Sequence, residues 1–209
     1  MTEMPMTEMP MTGTRATETR TDWLADDRAQ IAATRILDTA AELFAARGVG
    51  EVTMRDIADA AGCSRATLYR HFPGKQELMA AYVERAARTV ARDVDSAIPD
   101  GAAPDEQLLT ATQAAIAGVR ANPALSQWFT ADMAATSGHL AQLSPAIDAV
   151  AAGFLRRIVP DTTNADLAVR AGWLVRVIVS LLSTPEVDAA AERELLRRFV
   201  MPTLVTRAN

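Results

Sequence analysis

The chain has 209 residues, 49% of them apolar and 22% charged, with a formal net charge of −5, one cysteine and two histidines. This composition suits a soluble globular protein of one or two domains, and a single cysteine excludes an intramolecular disulfide and argues against a cysteine-based zinc site. Overall acidity does not advertise a nucleic-acid binder, so any DNA contact has to come from a local basic patch.

Residues 1–27 open with MTEMP twice in tandem, followed by a threonine-rich stretch with no apolar period. Such a segment buries too little to offset its ordering entropy and is expected to be a disordered tail. Arg15 and Arg20 are diluted by Glu18 and Asp22, so the tail is read as a tail and not as a DNA-reaching arm. No apolar core of a signal peptide is present, and the longest apolar run, Trp173 to Leu182, is about half a membrane span and contains Arg176. A cytoplasmic location is expected.

From Ala29 a helical period sets in, with Ile31, Leu37, Ala40, Ala41, Phe44 and Ala45 on one side, and Gly48 ends it. Thr53 with Asp56 three residues on forms a capping-box pattern, and Met54, Ile57, Ala58 and Ala61 mark one face of a short second helix. Gly62 stops that helix, Ser64 caps a third, and Pro73-Gly74 ends it. A fourth helix runs from Lys75 to about Ala97, and Ile98-Pro99-Asp100-Gly101 breaks the chain. Five more helices are expected at about 104–121, 123–137, 144–158, 164–183 and 188–206, with Pro202 as a kink. No alternating strand pattern of useful length is found, so the fold class is all-α with about nine helices.

Two short helices joined by a glycine turn, behind a supporting helix, make a helix-turn-helix unit at about 53–72. On a 3.6-residue wheel Leu68 and Phe72 point inward and Arg70 points nearly opposite. Ala66 and Thr67 flank Arg70, Tyr69 and His71 occupy the shoulders, and Arg65 stands at the helix start. Small residues let such a face sink into a major groove, where arginine reads guanine, and hydroxyls suit phosphates. Lys75, the only lysine, sits at a helix N-terminus, where the dipole disfavours a cation by about 0.3–1 kcal/mol. A phosphate partner is the expected compensation.

The residues Thr53, Ile57-Ala58, Ala61-Gly62-Cys63-Ser64, Thr67-Leu68-Tyr69, His71-Phe72 and Lys75…Leu78 resemble the signature of the tetracycline-repressor (TetR) family. The match spans about Ala29 to Val90. It departs at Cys63, where valine is usual, and at Ala66, where glycine is usual. Cys63 is therefore read as a small core hydrophobe. The resemblance implies a DNA-binding transcriptional regulator, usually a homodimeric repressor. Carried over by position, Ser64, Thr67, Tyr69, His71 and Lys75 hold phosphates, with Thr53 at the second helix cap. Arg65, Ala66 and Arg70 face bases, and Arg55 touches either. It also implies a DNA-binding domain over 28–90 and an effector-binding and dimerisation domain over 91–209.

The second half carries no motif with its own chemistry. Trp128, Phe129, Met133, Ile147, Val150, Phe154 and Trp173 are candidates for the wall of an apolar effector pocket. The helix over 164–183 is apolar nearly all round, with Gly172, Arg176 and Ser180 on a narrow strip. Arg176 has two readings, an ion pair at a dimer seam or an anchor for an anionic ligand. Gly172, Ser180, Leu195, Leu196, Phe199, Val200 and Leu204 are candidate dimer-interface residues. His139 falls in a Ser-Gly-His turn, and two histidines are too few for a metal-chelate ligand. Ser64 and His71 are seven residues apart and Ser64 is engaged as a cap, so no catalytic cluster, cofactor or metal is expected. The function expected is that of a ligand-responsive repressor on a pseudo-palindromic operator. The rival is a helical small-molecule-binding or scaffold protein with a non-functional helix-turn-helix.

Overall fold

The computed structural model describes residues 19–99, 101–129 and 145–205. Met133, His139 and the sequence before residue 19 lie outside the described residues, as does most of the helix expected over 123–137. Every regular element among the described residues is helical.

Helix α1 spans Thr19–Arg47, so the helix begins about ten residues before the apolar period does. Its first part includes residues assigned above to the tail. The side expected to face inward also shifts, because Ile31 is 69% exposed while Ile36, Leu37, Ala40 and Phe44 are buried. Ile31 precedes the buried stretch of this helix, which begins at Ile36. Helix α1 ends at Gly48, whose left-handed φ of 78° carries the chain into the turn and whose N–H reaches the Phe44 carbonyl at 2.9 Å.

Helices α2 (Met54–Ala61), α3 (Arg65–His71) and α4 (Lys75–Ala97) follow. Gly62 closes α2 at φ 67°, donating to Asp59, while the Cys63 N–H reaches the Ala58 carbonyl at 3.0 Å. Leu68, Ile57, Val52, Phe44 and Leu78 pack into one core, with Cys63 partly buried against it. Cys63 thus takes the place expected of a small hydrophobe.

The remaining helices are α5 (Pro104–Ala121), α6 (Pro123–Ser126), α7 (Pro145–Ile158), α8 (Asn164–Ser183), α9 (Ala189–Leu195) and α10 (Met201–Val205). Helix α6 is one turn long and passes into a 3₁₀ turn over Gln127–Phe129, where an uninterrupted helix was expected. Asn122 caps α6, its side-chain oxygen accepting from the Ala124 and Leu125 N–H groups. A second core joins α5, α7, α8 and the C-terminal helices through Leu108, Ile116, Leu155, Leu167, Leu174 and Leu196.

The expected kink near Pro202 takes a specific form. Residues Leu196–Val200 widen into a π turn, closed by the Met201 N–H on the Leu196 carbonyl. Proline has no N–H to donate and its ring crowds the carbonyl four residues earlier. A wide turn just before Pro202 accommodates both defects.

Two polar groups brace this second bundle. Arg170 is 7% exposed, bonds Asp166 at 2.8 Å and donates to the Leu204 carbonyl, fastening α8 to α10. Arg120 on α5 pairs with the buried Glu192 on α9 at 2.7 Å and donates to the Leu181 carbonyl at 3.1 Å.

Candidate nucleic-acid interface and ligand cavity

The recognition unit is built from its caps outward. Thr53 and Asp56 close a full capping box: the Asp56 N–H donates to the Thr53 hydroxyl at 3.2 Å, and the Thr53 N–H donates to the Asp56 carboxylate at 2.8 Å. The Thr53 hydroxyl itself donates to the same carboxylate at 2.7 Å. These bonds from Thr53, with the nearby Arg47 guanidinium, hold the Asp56 carboxyl below its ordinary pKa. Its stabilising contribution is therefore present above the unfolded-state value and is lost as pH falls through the folded-state value. Replacing Thr53 by alanine is expected to cost about 0.5–2 kcal/mol in urea unfolding. The mutant's acid limb is expected to be flatter than that of the parent.

Ser64 caps α3, accepting from the Thr67 N–H at 3.1 Å, with the two hydroxyls 2.9 Å apart. A helix of seven residues does not persist alone in water. It is held by the cap, by Leu68 at 0% exposure and by the buried Phe72 that follows it. With Leu68 turned inward, Arg65, Ala66, Tyr69 and Arg70 are exposed on the outer side, and Thr67 and His71 are half-buried at its edges. The wheel places Leu68 and Phe72 inward and Arg70 outward as found, but Thr67, expected beside Arg70, is half-buried, and Tyr69, expected on a shoulder, is exposed.

Between α2, α3 and the start of α4 lies an open cleft of about 410 Å³, lined by Gly50, Val52, Thr53, Met54, Arg55, Arg65, Tyr69 and Lys75. Five of the ten residues singled out from sequence for DNA contact thus line one depression. Arg55 also faces Asp59 one turn on at 3.6 Å, a pair exposed enough to break at little cost. From Thr53 to Lys75 the chain carries Arg55, Arg65, Arg70 and Lys75 against Asp56 and Asp59 only. The acidity of the chain lies elsewhere, and this face is locally basic.

Lys75 needs a different account from the one read in the sequence. Its ammonium donates to the Val49 carbonyl at 2.6 Å, with the Gly50 carbonyl at 3.4 Å. The cation that the α4 dipole disfavours therefore finds backbone carbonyl partners at the turn after α1. Partial burial lowers its pKa. The expected compensation by phosphate is not required to explain the residue.

A second site lies in the other half of the chain. A cavity of about 470 Å³ opens between α4, α5, α7 and α8. Trp128, Phe129, Ile147, Val150 and Phe154 line it as expected, together with Val83, Val90 and Val94 of α4 and Ala111, Thr112 and Ala115 of α5. The α4 and α5 contributors were missed. Their signal was the run Ala87, Val90, Ala91, Val94, a face of small residues too short to fill the space opposite α5 and α7.

Trp173 and Arg176, in contrast, do not line the cavity. Trp173 is 44% exposed and Arg176 is exposed, because they project from the side of α8 away from α4 and α5. Val169 and Ser180 are exposed on that same strip, with Gly172 half-buried between them. Among the candidate dimer-interface residues, Leu196, Val200 and Leu204 are instead buried in the chain's own core. Phe199 lies outside at 64% exposure, with Leu195 half-buried.

Trp128 belongs to both halves. It lines the cavity, and it also packs edge-on to Phe44 of α1 (centroids 6.4 Å apart, planes at 75°) and beside Tyr82 of α4 at 6.1 Å. The Tyr82 hydroxyl donates to the Asn122 side chain at 3.1 Å, tying the cap of α6 to α4. Burial raises the Tyr82 pKa, so the hydroxyl stays protonated as a donor.

Comparison with known proteins agrees with this arrangement. The family described as "Bacterial regulatory proteins, tetR family" matches residues 36–82. The uncharacterized HTH-type transcriptional regulator Rv1255c of Mycobacterium tuberculosis (strain ATCC 25618 / H37Rv) is 43% identical over 189 residues, covering 90% of this chain and 93% of that protein. The HTH-type transcriptional repressor KstR2 of Rhodococcus jostii (strain RHA1) is 52% identical over 46 residues, 22% of each chain. Among solved structures, the TetR family repressor AlkX from Dietzia sp. superposes with a TM-score of 0.64 at 24% identity, covering 82% of this chain and 94% of its own. The R. erythropolis repressor QsdR gives 0.61 at 23% identity, covering 86% and 98%. At such identities the two structures speak for the fold.

Proposed function

Since the chain belongs to the tetR family of bacterial regulatory proteins, and is thereby a DNA-binding transcriptional regulator, we propose that it is a homodimeric repressor released from a pseudo-palindromic operator by a small-molecule effector. The observation that carries this reading is the outer face of α3, where Arg65 and Arg70 stand exposed beside a basic cleft. Arg65, Ala66 and Arg70 would face bases in the major groove. Thr53, Ser64, Thr67, Tyr69, His71 and Lys75 would hold the backbone on either side, and Arg55 would reach either.

Two recognition helices entering successive major grooves have to stand about 34–36 Å apart. A second copy is therefore part of the proposal. The strip Val169, Gly172, Trp173, Arg176 and Ser180 supports it, since large apolar side chains left exposed on a helix are suited to burial by a partner. Arg176 belongs to this seam in the proposal and not to the cavity. Phe199 is the corresponding candidate near the C-terminus.

Helix α4 carries Lys75 at one end and Val90 and Val94 at the cavity wall. An effector that fills the cavity would favour one position of α4, and with it one spacing of the recognition helices. Such a shift requires differential affinity for the two states, about 5.5 kcal/mol to move the population from 1:99 to 99:1.

The test is a gel-shift titration on DNA upstream of the gene at two salt concentrations. Specific binding is expected to weaken steeply with salt through counterion release. Absence of binding at low salt would sink the reading and favour the scaffold alternative. Arg70→Ala is expected to weaken specific binding by about 1–3 kcal/mol and to relax base preference at one operator position. An unchanged preference would show that the face of α3 is oriented differently.

A further inference from the structure

We infer that the cavity takes an uncharged, hydrophobic small molecule. This rests on the second half of the chain being the effector-binding part and names the chemistry that part would accept.

The inference follows from what the walls do not offer. Among the described residues, the lining is aliphatic or aromatic except for Thr112 at its interior and Asp95 and Arg157 at its rim. The buried Thr112 hydroxyl has its only proton on the Leu108 carbonyl at 2.7 Å, so it has no donor left for an anion. Arg157 pairs with Asp95 at 2.5 Å and lies 5.2 Å over the Phe154 ring. The rim is thus neutral as a pair, and its cation is already balanced.

Among the described interior lining a carboxylate, phosphate or ammonium would leave water and meet no charged partner, a cost that opposes tight binding. A neutral hydrocarbon or aromatic body loses nothing on entry and gains the burial of its own surface. The volume of about 470 Å³ lies within the range of pockets that hold drug-sized molecules. A polar end, if the ligand has one, belongs beside the Asp95–Arg157 pair, where solvent also reaches it.

A matched pair of fluorescent probes tests this. N-phenyl-1-naphthylamine is neutral, and 8-anilinonaphthalene-1-sulfonate has the same ring body with one sulfonate added. Titrated into the full chain without DNA, the neutral probe is expected to bind at a single saturable site. The sulfonated probe is expected to bind roughly tenfold or more weakly. Ala115→Phe on α5 and Ala91→Phe on α4 each fill the cavity from a different wall and should each weaken the neutral probe by a similar factor. Unchanged circular dichroism and melting temperature would certify the variants, and two independent walls guard against one failing to fold.

The inference is overturned by sulfonate binding as tight as that of the neutral probe. It is equally overturned if the neutral probe fails to bind or is indifferent to both filled walls. Because the readout uses free protein, absence of operator binding in the gel shift leaves this result standing. A failed probe titration likewise leaves the DNA-binding reading intact.

Discussion

Trp128→Ala is expected to lower the stability of the chain by about 3–5 kcal/mol, the usual cost of emptying the site of a large buried aromatic. The residue is 2% exposed and its ring is held between Phe44 and Tyr82 on one side and the cavity on the other. Neither neighbour is free to collapse into the gap, because Phe44 is fixed in the first core and Tyr82 is tethered to Asn122. The void would also open directly onto the cavity, enlarging it. Chemical denaturation measures the first effect. The neutral probe measures the second, with weaker and less discriminating binding expected. Trp128→Phe should recover most of the stability, since an aromatic ring still meets Phe44 edge-on. A loss below about 1 kcal/mol for the alanine variant would mean that Trp128 is not packed as described.

Leu68→Ala is expected to cost about 2–5 kcal/mol and to remove operator binding with it. The side chain has no exposed surface and is the only residue within α3 that is fully buried. Seven residues with a single serine cap cannot hold their own helical geometry, so the anchor and the recognition face are one mechanical unit. The loss is expected to be local. Amide exchange should rise across Arg65–His71 and at the end of α2, while the bundle around α5, α7 and α8 keeps its protection. Uniform loss of protection over both halves would contradict that picture.

The recognition unit was legible in the sequence because its determinants are local. A threonine three residues before an acid, a glycine after an apolar face and a serine before a short helix each specify a cap through neighbours in sequence. The wheel then gave the inward side of α3 from Leu68 and Phe72 alone. The second half was less legible because its determinants are distant. Trp173 and Trp128 are equally apolar in sequence, yet one is exposed and the other buried, according to which helix lies opposite.

The C-terminal helix shows the same limit. Leu196, Val200 and Leu204 have a spacing that fits an outward stripe or an inward one, and only their packing into the second core decides between them. Lys75 was incompletely read for a related reason. Its cost at the start of α4 is a local quantity, but the carbonyls that offset it lie some twenty-five residues earlier, at Val49 and Gly50. The position of Arg176 was left open between cavity and seam, and its exposure removes it from the cavity wall.

That lysine has one more consequence, in chemical and not mechanical terms. The chain has twenty arginines and no other lysine, so an acylating reagent finds a single side-chain amine in the whole protein. Acylation would turn its ammonium into an amide with one N–H, able to keep one of the two carbonyl partners and carrying no charge at the edge of the basic cleft. The chemistry of side-chain amines is thereby concentrated at the one point where the end of α1, the basic cleft and the start of α4 meet.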